Sequence, residues 1–350
     1  MSEREAPLRV SLIGYGFAGR TFHAPLIRVV PGLSLDFVAS RDADKVHADL
    51  PDVEVIDDPV RAATDSRADL IVIASPNDSH ASLARAALVA CRNVVVDKPF
   101  TLSLAEAREL GALAQQQNRL LSVFQNRRWD TDYLAIKQAI DDGLIGEAMH
   151  LESRIDRFRP QPRQRWREQA GPGSGVLWDL GPHLVDQALQ LLGWPDTVQA
   201  SVAVQREGAQ ADDWAHVVLG FGRRRAILHA GMLAAGGSHR FHVHGTHGSV
   251  LKRQADPQEA QLIAGLRPGD AQWGVDDDDL FVYDDAGVAR RVAVPRGDQS
   301  RYYSAIRDAL LGRGENPVPP AQAIAVMAVL EAAIVSAREG RVVAPDFQAV

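Results

Sequence analysis

The sequence predicts an α/β protein with an N-terminal doubly wound parallel Rossmann sheet and a C-terminal α+β domain that has a large open, mainly antiparallel sheet. Two observations predict the first part: a glycine-rich turn follows the first apolar run, and strand-like and helix-like segments then alternate to about residue 124. The third observation is a change to β-dominated sequence in the second half. A chain of 350 residues favours two domains, which we expect to span residues 1–125 and 126–350.

Six short, almost continuously apolar runs are the predicted strands of the first domain, because strands covered by helices on both faces lack the alternation of a half-exposed sheet. They lie at residues 8–13, 33–39, 53–56, 70–74, 94–96 and 120–124. The predicted helices between them lie at residues 18–30, 78–91 and 103–117. Ser103 and Glu106 have the spacing of a capping box, which predicts that the third helix starts shortly after Pro99.

The second domain has a different succession of segments. It is predicted to contain a helix at 131–141, a strand at 148–158, an arginine- and proline-rich loop up to residue 175, a helix at 182–192, β-dominated sequence from 197 to about 294, and helices at 299–311 and 322–338. Runs of strands separated by turns are typical of antiparallel sheets. Because no flexible linker lies near residue 125, we expect the two domains to share a fixed interface that contains a cleft.

Composition excludes several classes of protein. Hydrophobic residues make up 46% and charged residues 24% of the chain, which is typical of a folded protein and excludes intrinsic disorder. A net charge of -7 gives no bulk electrostatic affinity for nucleic acid or anionic lipid. The lone Cys91 excludes an internal disulfide. Since residues 1–5 lead directly into a strand and no apolar stretch reaches about 18 residues, we expect a soluble cytoplasmic protein.

The glycine turn, residues 14–19 with the sequence GYGFAG, predicts dinucleotide binding. It follows the first predicted strand and opens the first predicted helix. Glycine is needed there for the tight turn, for close approach of the backbone to a pyrophosphate, and for packing of helix on strand.

The residues after the second predicted strand favour NADP over NAD. NAD sites place a carboxylate there to accept a hydrogen bond from the ribose 2′-hydroxyl, whereas this chain has Ser40 and Arg41, which can bind a 2′-phosphate. Asp42 is the contrary residue, because a shift of two positions would present its carboxylate to the ribose.

Two further segments carry residues suited to alcohol oxidation. Lys98 follows a predicted strand at the carboxyl edge of the sheet, where it can orient a substrate hydroxyl and stabilise developing charge; the chain has only four lysines. Asp179 and His183 are four residues apart, and Pro182 predicts that His183 lies at the start of a helix with Asp179 just before it. A histidine there can move a hydroxyl proton while the carboxylate holds the substrate or the imidazole.

Together these segments resemble the Gfo/Idh/MocA family of oxidoreductases, which includes glucose–fructose oxidoreductase and inositol dehydrogenase. The resemblance runs from Val10 to about Gly193 and continues more weakly beyond. The motifs are most similar to those of the NADP-dependent scyllo-inositol dehydrogenase branch. The motifs that carry it are GYGFAG at 14–19, HAPLI at 23–27, SPNDSH at 75–80, DKPF at 97–100, QNRRWD at 125–130, RWRE at 165–168, GSGVLWDLGPHLVDQAL at 173–189 and GTHGS at 245–249.

By this resemblance, Lys98, Asp179 and His183 match the family's catalytic Lys, Asp and His. Asp97 departs from the family's common Glu-Lys-Pro by one methylene. With the residues already discussed, the predicted cofactor-binding set is Gly14, Gly16, Phe17, Ala18, Gly19, Ser40, Arg41, Ser75, Pro76, Asn77, His80, Asp97, Lys98, Gln125, Trp166 and Arg167.

Three other clusters are better explained without a ligand or partner of their own. The histidines at 239, 242, 244 and 247 suggest a metal, but GTHGS matches the family's strand and turn, so we expect no metal site. The acidic run at 276–279 lacks the spacing of a calcium loop, so we expect a solvated loop. The arginines between 154 and 167 lack the wider positive charge of a nucleic-acid site. We expect them to lie over the cleft, with one or two meeting cofactor phosphate or an anionic substrate.

The predicted reaction is reversible oxidation of a secondary alcohol on a cyclic polyol or sugar, such as scyllo-inositol, with hydride transfer to NADP, or to NAD. His183 would remove the hydroxyl proton while Lys98 and Asp179 hold the oxygen; Asp179, Gln125 and Arg128 are candidates for contacting neighbouring hydroxyls. The alternatives are a nicotinamide-dependent glycosidase, a reductase of aldehydes, ketones or dihydrodiols on the same scaffold, and a non-catalytic NAD(P)-sensing regulator. The resemblance implies a homodimer or homotetramer, and we expect an apolar outer face of the second sheet to serve self-association.

Overall fold

The computed structural model describes residues 6–348, and these form two sheets with helices packed on them. Residues 1–5, on which the expectation of no leader segment rests, and residues 349–350 lie outside the described residues. The first sheet has six parallel strands in the order β3-β2-β1-β4-β5-β6. Its strands are β1 Leu8–Ile13, β2 Leu33–Ala39, β3 Glu54–Ile56, β4 Leu70–Ile73, β5 Asn93–Val96 and β6 Leu121–Val123. This order is that of a Rossmann sheet, so the predicted doubly wound fold is confirmed.

Helices cover both faces of this sheet, and their starts follow from the local sequence. They are α1 Ala24–Arg28, which continues a π-helical turn at Gly19–His23, α2 Ala43–Asp49, α3 Pro59–Thr64, α4 His80–Val89 and α5 Leu104–Gln116. The sequence analysis did not predict the two short helices α2 and α3, which are capped by Asp42 and Asp58. The capping box at α5 is confirmed, since the Glu106 backbone N–H donates to Ser103 Oγ at 3.2 Å.

The second sheet has eight strands in the order β14-β13-β12-β11-β7-β10-β9-β8. They are β7 Ala148–Asp156, β8 Thr197–Ala203, β9 Trp214–Phe221, β10 Arg224–Gly231, β11 Phe241–Gly245, β12 Ser249–Lys252, β13 Leu280–Tyr283 and β14 Ala289–Val292. All neighbouring pairs are antiparallel except β7 and β10, which are parallel. The prediction of a large, mainly antiparallel sheet is therefore confirmed.

The second part of the chain, as far as residue 348, contains five α-helices. They are α6 Thr131–Asp141, α7 Val176–Leu192, α8 Gln258–Ile263, α9 Ser300–Leu310 and α10 Pro320–Glu339. Helices α6, α7 and α10 pack on the second sheet, α10 also packs on α5 and β6, and α8 and α9 contact the turn at Gly19–His23 and α1, respectively. By length and composition α10 could cross a membrane, contrary to the expectation that no stretch was long and apolar enough. It lies mostly buried against α5, α7 and β8, as a core helix does.

The outer face of the second sheet carries both polar and apolar side chains: β7 contributes polar residues, whereas Ile227 of β10 and Leu251 of β12 lie partly exposed on the same face. Along β7, Leu151 and Ser153 are buried toward the helices, whereas His150, Glu152 and Arg154 alternate with them and are partly exposed. The strand AMHLESRID alternates apolar and polar positions, as strands with one wet face do. Self-association through this face stays a prediction.

Candidate active site

A cavity of about 490 Å³ lies where the glycine turn meets the second part of the chain. Its wall includes Phe17 and Ala18 from the glycine turn, Lys98 from the end of β5, and Asp179 and His183 from α7. The structure therefore brings the three predicted catalytic residues to one cavity, next to the predicted dinucleotide turn.

The three glycines of the glycine turn have different steric roles. A Cβ at Gly14, whose φ is +99°, would lie 2.7 Å from the Ala74 carbonyl oxygen, and a Cβ at Gly19 would lie 2.0 Å from the Gly14 oxygen. A Cβ at Gly16 would meet nothing within 4 Å. The outer two glycines are thus required by the fold itself, while the middle one borders open space that a pyrophosphate fits. The turn therefore fits a dinucleotide.

The three residues after β2, Ser40, Arg41 and Asp42, have different surroundings. The Asp42 carboxylate accepts a hydrogen bond from the Lys45 N–H at 2.9 Å and caps α2. Ser40 Oγ exchanges hydrogen bonds with the backbone of Asp42. Arg41 is exposed and makes no side-chain hydrogen bond or ion pair within residues 6–348. The carboxylate of Asp42, the residue that favoured NAD, is therefore used to cap α2, whereas the Arg41 side chain is available to bind a ligand.

Lys98 and Asp179 form a half-buried ion pair at the cavity wall. Lys98, which precedes a cis peptide bond to Pro99, donates from Nζ to the Asp179 carbonyl oxygen at 2.7 Å and to its Oδ1 at 3.2 Å. Burial lowers the pKa of Lys98, although the Asp179 charge opposes this. Burial alone would raise the pKa of Asp179, but the charges of Lys98 and Arg167 outweigh it and lower that pKa. The pair presents a compact ammonium and an ionised carboxylate to the cavity.

The helix that carries Asp179 and His183 starts earlier than predicted. α7 begins at Val176, so Pro182 lies inside the helix and not in its first turn, and our placement of His183 at a helix start was wrong. The start is fixed by Asp212, whose Oδ2 accepts from the Leu177 N–H at 2.8 Å. Because Asp179 and His183 are both helical and four residues apart, they lie on one face of α7. The correction strengthens their predicted proximity.

His183 is held neutral in the cavity wall. It is 5% exposed, and its Nδ1 is buried with no hydrogen-bond partner in the described part of the chain. Burial lowers the pKa of His183 well below 6.5, and the charges of Lys98, Arg127, Arg240 and Arg157 lower it further. A neutral imidazole can accept a proton from a substrate hydroxyl.

Asp97 reaches the cavity together with His23, which the sequence analysis did not connect with the site. Asp97 Oδ1 accepts from the Lys98 N–H at 2.8 Å, and its Oδ2 lies 3.8 Å from His23 Nε2. Burial would raise the pKa of Asp97, but His23 and Lys98 lower it to about 2. On the far side, His23 Nδ1 lies 2.5 Å from the Tyr303 hydroxyl, which fixes the orientation of the ring from that end.

Several predicted cofactor residues are not among those that line this cavity. Both ring nitrogens of His80 lie within hydrogen-bonding distance of backbone oxygens, those of Pro99 at 2.8 Å and Ser75 at 3.0 Å, so His80 ties these loops together. Asn77 donates to the Gly173 oxygen at 3.1 Å, and Pro76 is exposed beside it. The Asn77 Oδ1 and Gln125 Oε1 atoms are buried without a partner in the described residues. Such orphaned oxygens fit a polar ligand that the protein itself does not supply.

Arg127, and not the predicted Arg128, lines the cavity. Arg128 is buried and binds both oxygens of Asp186, at 2.8 and 2.6 Å, which is inconsistent with our choice of Arg128 as a contact for substrate hydroxyls. Arg127 lies on the cavity wall with Glu259, 2.9 Å from its carboxylate. The two arginines are adjacent in a 3-10 turn, so their side chains leave it in different directions. No sequence motif distinguished them, and Glu259 of α8 had no signal at all.

Five of the six arginines predicted to lie over the cleft do so, whereas Arg154 pairs with Glu152 on the outer face of the second sheet. We call Arg157, Arg159, Arg163, Arg165 and Arg167 the arginine wall, because all five line the cavity. The Arg167 guanidinium carbon lies 4.6 Å from the centre of the Trp166 ring, and its Nε lies 3.4 Å from Asp179 Oδ1. The wall therefore brings concentrated positive charge to the predicted reaction site.

The remaining two clusters, the histidines at 239–247 and the acidic run at 276–279, lie outside the cavity. No group of three or more metal-binding side chains is found within residues 6–348, and His242 and His244 lie side by side on the outer face of the sheet with ring centres 4.0 Å apart. We expected the acidic run at 276–279 to be a solvated loop, and this prediction was wrong. Asp276 and Asp278 lie 3.1 and 2.7 Å from the ammonium of the buried Lys252, which needs compensating charge.

Comparisons with known proteins agree with the two-part fold. Residues 8–125 match the Gfo/Idh/MocA oxidoreductase family's NAD-binding Rossmann fold, and residues 137–344 match its C-terminal alpha/beta domain. An uncharacterized oxidoreductase of Escherichia coli (strain K12), YdgJ, is 51% identical over 95% of this chain and 96% of its own. The scyllo-inositol 2-dehydrogenase (NADP(+)) IolW of Bacillus subtilis (strain 168) is 32% identical over 96% of this chain and 95% of its own. The crystal structure of an oxidoreductase-like protein from Klebsiella pneumoniae is 57% identical, with a TM-score of 0.92 over 98% of this chain and 96% of that one.

Proposed function

The chain belongs to the Gfo/Idh/MocA family of oxidoreductases and has that family's NAD-binding Rossmann domain, and we propose that it oxidises a secondary alcohol of a cyclic polyol or sugar with NADP. The observation that carries the proposal is the convergence of Lys98, Asp179 and His183 on one cavity beside the glycine turn. An ammonium, an ionised carboxylate and a neutral imidazole are the groups that alcohol oxidation needs.

The glycine turn would hold the pyrophosphate of the dinucleotide, and the orphaned oxygens of Asn77 and Gln125 would meet other polar groups of the ligand. When bound, NADP supplies the hydride acceptor. Arg41, unpaired and exposed, and Ser40 would bind the 2′-phosphate, while Asp42 stays with its helix cap. These three observations support NADP over NAD.

The chain's own residues would handle the oxygen and the proton of the substrate. Lys98 Nζ, fixed by two hydrogen bonds to Asp179, is positioned to donate to the substrate oxygen and to stabilise the charge that develops there. His183, neutral because of burial and neighbouring cations, would accept the hydroxyl proton. Asp179 stays ionised near neutral pH and keeps the ammonium in place.

The relative IolW supports the choice of a polyol, since its name is that of an NADP-dependent scyllo-inositol dehydrogenase. A panel of inositols and aldoses, each with NADP and with NAD, tests the proposal through the absorbance of the reduced nicotinamide. We expect at least one member to be oxidised with a higher kcat/KM for NADP. A preference for NAD of about tenfold, equivalent to ~1.4 kcal/mol in transition-state binding, would contradict the assignment of Ser40 and Arg41.

A further inference from the structure

The cavity is strongly cationic although the chain as a whole is acidic. Seven lysine and arginine side chains line the cavity, against three carboxylates, while the net charge of the chain is -7. A pocket with charge opposite to that of the rest of the protein concentrates ligands of the opposite sign. The overall composition of the chain therefore does not explain the excess of positive charge in the cavity.

Ion pairs within the protein account for only part of this positive charge. Lys98, Arg127, Arg165 and Arg167 each have a carboxylate oxygen within 3.4 Å. The side chains of the remaining three, Arg157, Arg159 and Arg163, make no hydrogen bond and no ion pair within the described residues. Arginine is rarely left unpaired in a concave site, because its guanidinium has five donors to satisfy.

Arg157 and Arg159 are fixed to the second sheet. Their backbone N–H groups donate to the Gly231 and Met232 oxygens at 2.9 and 2.7 Å, which extends β7 by a few residues. Residues two apart on an extended chain share a side, so both arginines face the cavity while Phe158 between them is 58% exposed on the other side. Two guanidinium groups are thus held next to each other on a rigid element.

The crowding of these guanidinium groups has an electrostatic cost. Arg159 Nη1 is buried with no partner in the described residues. Burial, together with the charges of Arg157, Arg163 and Arg165, lowers the pKa of Arg159 to about 10. Nearby carboxylates offset this repulsion only in part, and an anion bound among the arginines would reduce both the repulsion and the number of unsatisfied donors.

We propose that the substrate of this enzyme carries an oxyanion group, a carboxylate or a phosphate, which binds to Arg157 and Arg159 while its hydroxyl lies at Lys98 and His183. This inference rests on the proposed function and narrows its substrate class from neutral polyols to sugar acids or sugar phosphates. Guanidinium groups bind both oxyanions through paired, charge-assisted hydrogen bonds, which a neutral hydroxyl cannot replace.

The phosphates of the dinucleotide do not explain these two arginines. The glycine turn and the Ser40–Arg41 pair, which would hold those phosphates, both belong to the first sheet. Arg157 instead extends β7 and lies close enough to the reaction site for its charge to lower the pKa values of Asp179 and His183. Arg157 and Arg159 are therefore placed to bind the part of the substrate that does not react.

Matched substrate pairs test the inference. With NADP as acceptor, we would measure kcat/KM for glucose, glucuronate, gluconate and glucose 6-phosphate, and for myo-inositol and its monophosphate. We expect an anionic member to exceed its neutral parent at least tenfold in kcat/KM; the carboxylate and phosphate arms identify which oxyanion is bound. In the variant Arg157→Gln/Arg159→Gln the ratio of anionic to neutral kcat/KM should fall close to one. Arg290→Gln, the same loss of charge on the exposed strand β14, should leave the ratio unchanged.

A neutral parent oxidised as well as its anionic derivatives, or a ratio that the double variant does not change, overturns the inference while leaving the proposed function intact. If no sugar is oxidised, calorimetric titration of the NADP complex with glucuronate, glucose 6-phosphate and glucose decides the matter. Binding of an anion that weakens at least tenfold in the double variant supports the inference; anions that bind no better than glucose overturn it. Failure to bind NADP or NAD at all would instead contradict the proposed function.

Discussion

The two sides of the cavity recognise ligands by different physical means. On the first side, the glycine turn offers backbone and empty space, and a Cβ at Gly14 or Gly19 would collide with the main chain. On the second side, the arginine wall and α7 offer charged side chains, of which Arg167 and Asp179 pair with each other. The first side is fixed by steric exclusion and suits one ligand common to many reactions. The second is set by charge, which single substitutions can change, and suits a variable substrate.

Removal of the imidazole should have the largest effect on the second side. His183→Gln keeps the size and polarity but not the basicity, so we expect kcat/KM for alcohol oxidation to fall about 10²–10⁴-fold with NADP affinity unchanged. His216→Gln, on the outer face of the second sheet, is the matched control. A His183→Gln enzyme within a few-fold of wild type would exclude the imidazole as the base.

The pH profile sharpens this prediction. Because burial and neighbouring cations lower the pKa of His183 well below 6.5, the free enzyme keeps a neutral base at pH 6.5. We therefore expect kcat/KM for the oxidation to stay level as the pH falls from 8 to 6.5. A loss of activity with its midpoint near 6.5 would mean that the cations around His183 do not act as the structure indicates.

Substitution of the adjacent Arg127 and Arg128 tests which of the two contributes to activity and which contributes only to stability. The Arg128 and Asp186 side chains are 9% and 2% exposed and form a two-pronged pair, so Arg128→Gln should lower the free energy of unfolding by about 3–5 kcal/mol. Arg127→Gln should lower kcat/KM as well as stability, because Arg127 lines the cavity and also pairs with the buried Asp130. Urea unfolding and steady-state kinetics on both variants separate the two effects, and Arg85→Gln, in an exposed pair with Glu109, should change stability by only about 0.5 kcal/mol.

The difference between these neighbours shows where sequence reasoning ends. The Rossmann half was predictable because its signals are local: apolar runs, a glycine turn, and a cap three residues from its partner. The start of α7 was not, because the carboxylate that caps it, Asp212, lies 35 residues after Leu177. Likewise, no local pattern says that Arg128 turns to Asp186, or that Glu259 of α8 joins the cavity. Side-chain pairing across the fold decides these outcomes.

The first side can be tested through its glycines. Gly19→Ala forces a shift of the Gly14 backbone and should both destabilise the fold and abolish dinucleotide binding. Gly16→Ala meets no protein atom within 4 Å, so unfolding should be unchanged while the affinity for NADPH, followed by its fluorescence, falls about tenfold or more. Wild-type affinity in Gly16→Ala would mean that the dinucleotide does not approach this turn closely.

The smallest expected effects lie at the edge of the first side. Arg41→Ala should weaken NADP binding about tenfold and leave NAD binding unchanged, because only the 2′-phosphate loses a partner. Asp42→Ala should cost about 1 kcal/mol of stability through loss of the α2 cap, without changing the ratio of NADP to NAD affinity. A change of that ratio in Asp42→Ala would assign the ribose contact to Asp42 after all.

Single-turnover oxidation by the Lys98→Ala variant tests the convergence of Lys98, Asp179 and His183 most directly. Enzyme in excess over a substrate identified in the sugar panel is mixed with saturating NADP, and the rise in NADPH absorbance is followed. Because the ammonium is held by Asp179 where the substrate oxygen would lie, we predict a rate at least a hundredfold lower than that of wild type, with NADP affinity retained. A rate within twofold of wild type would contradict the account.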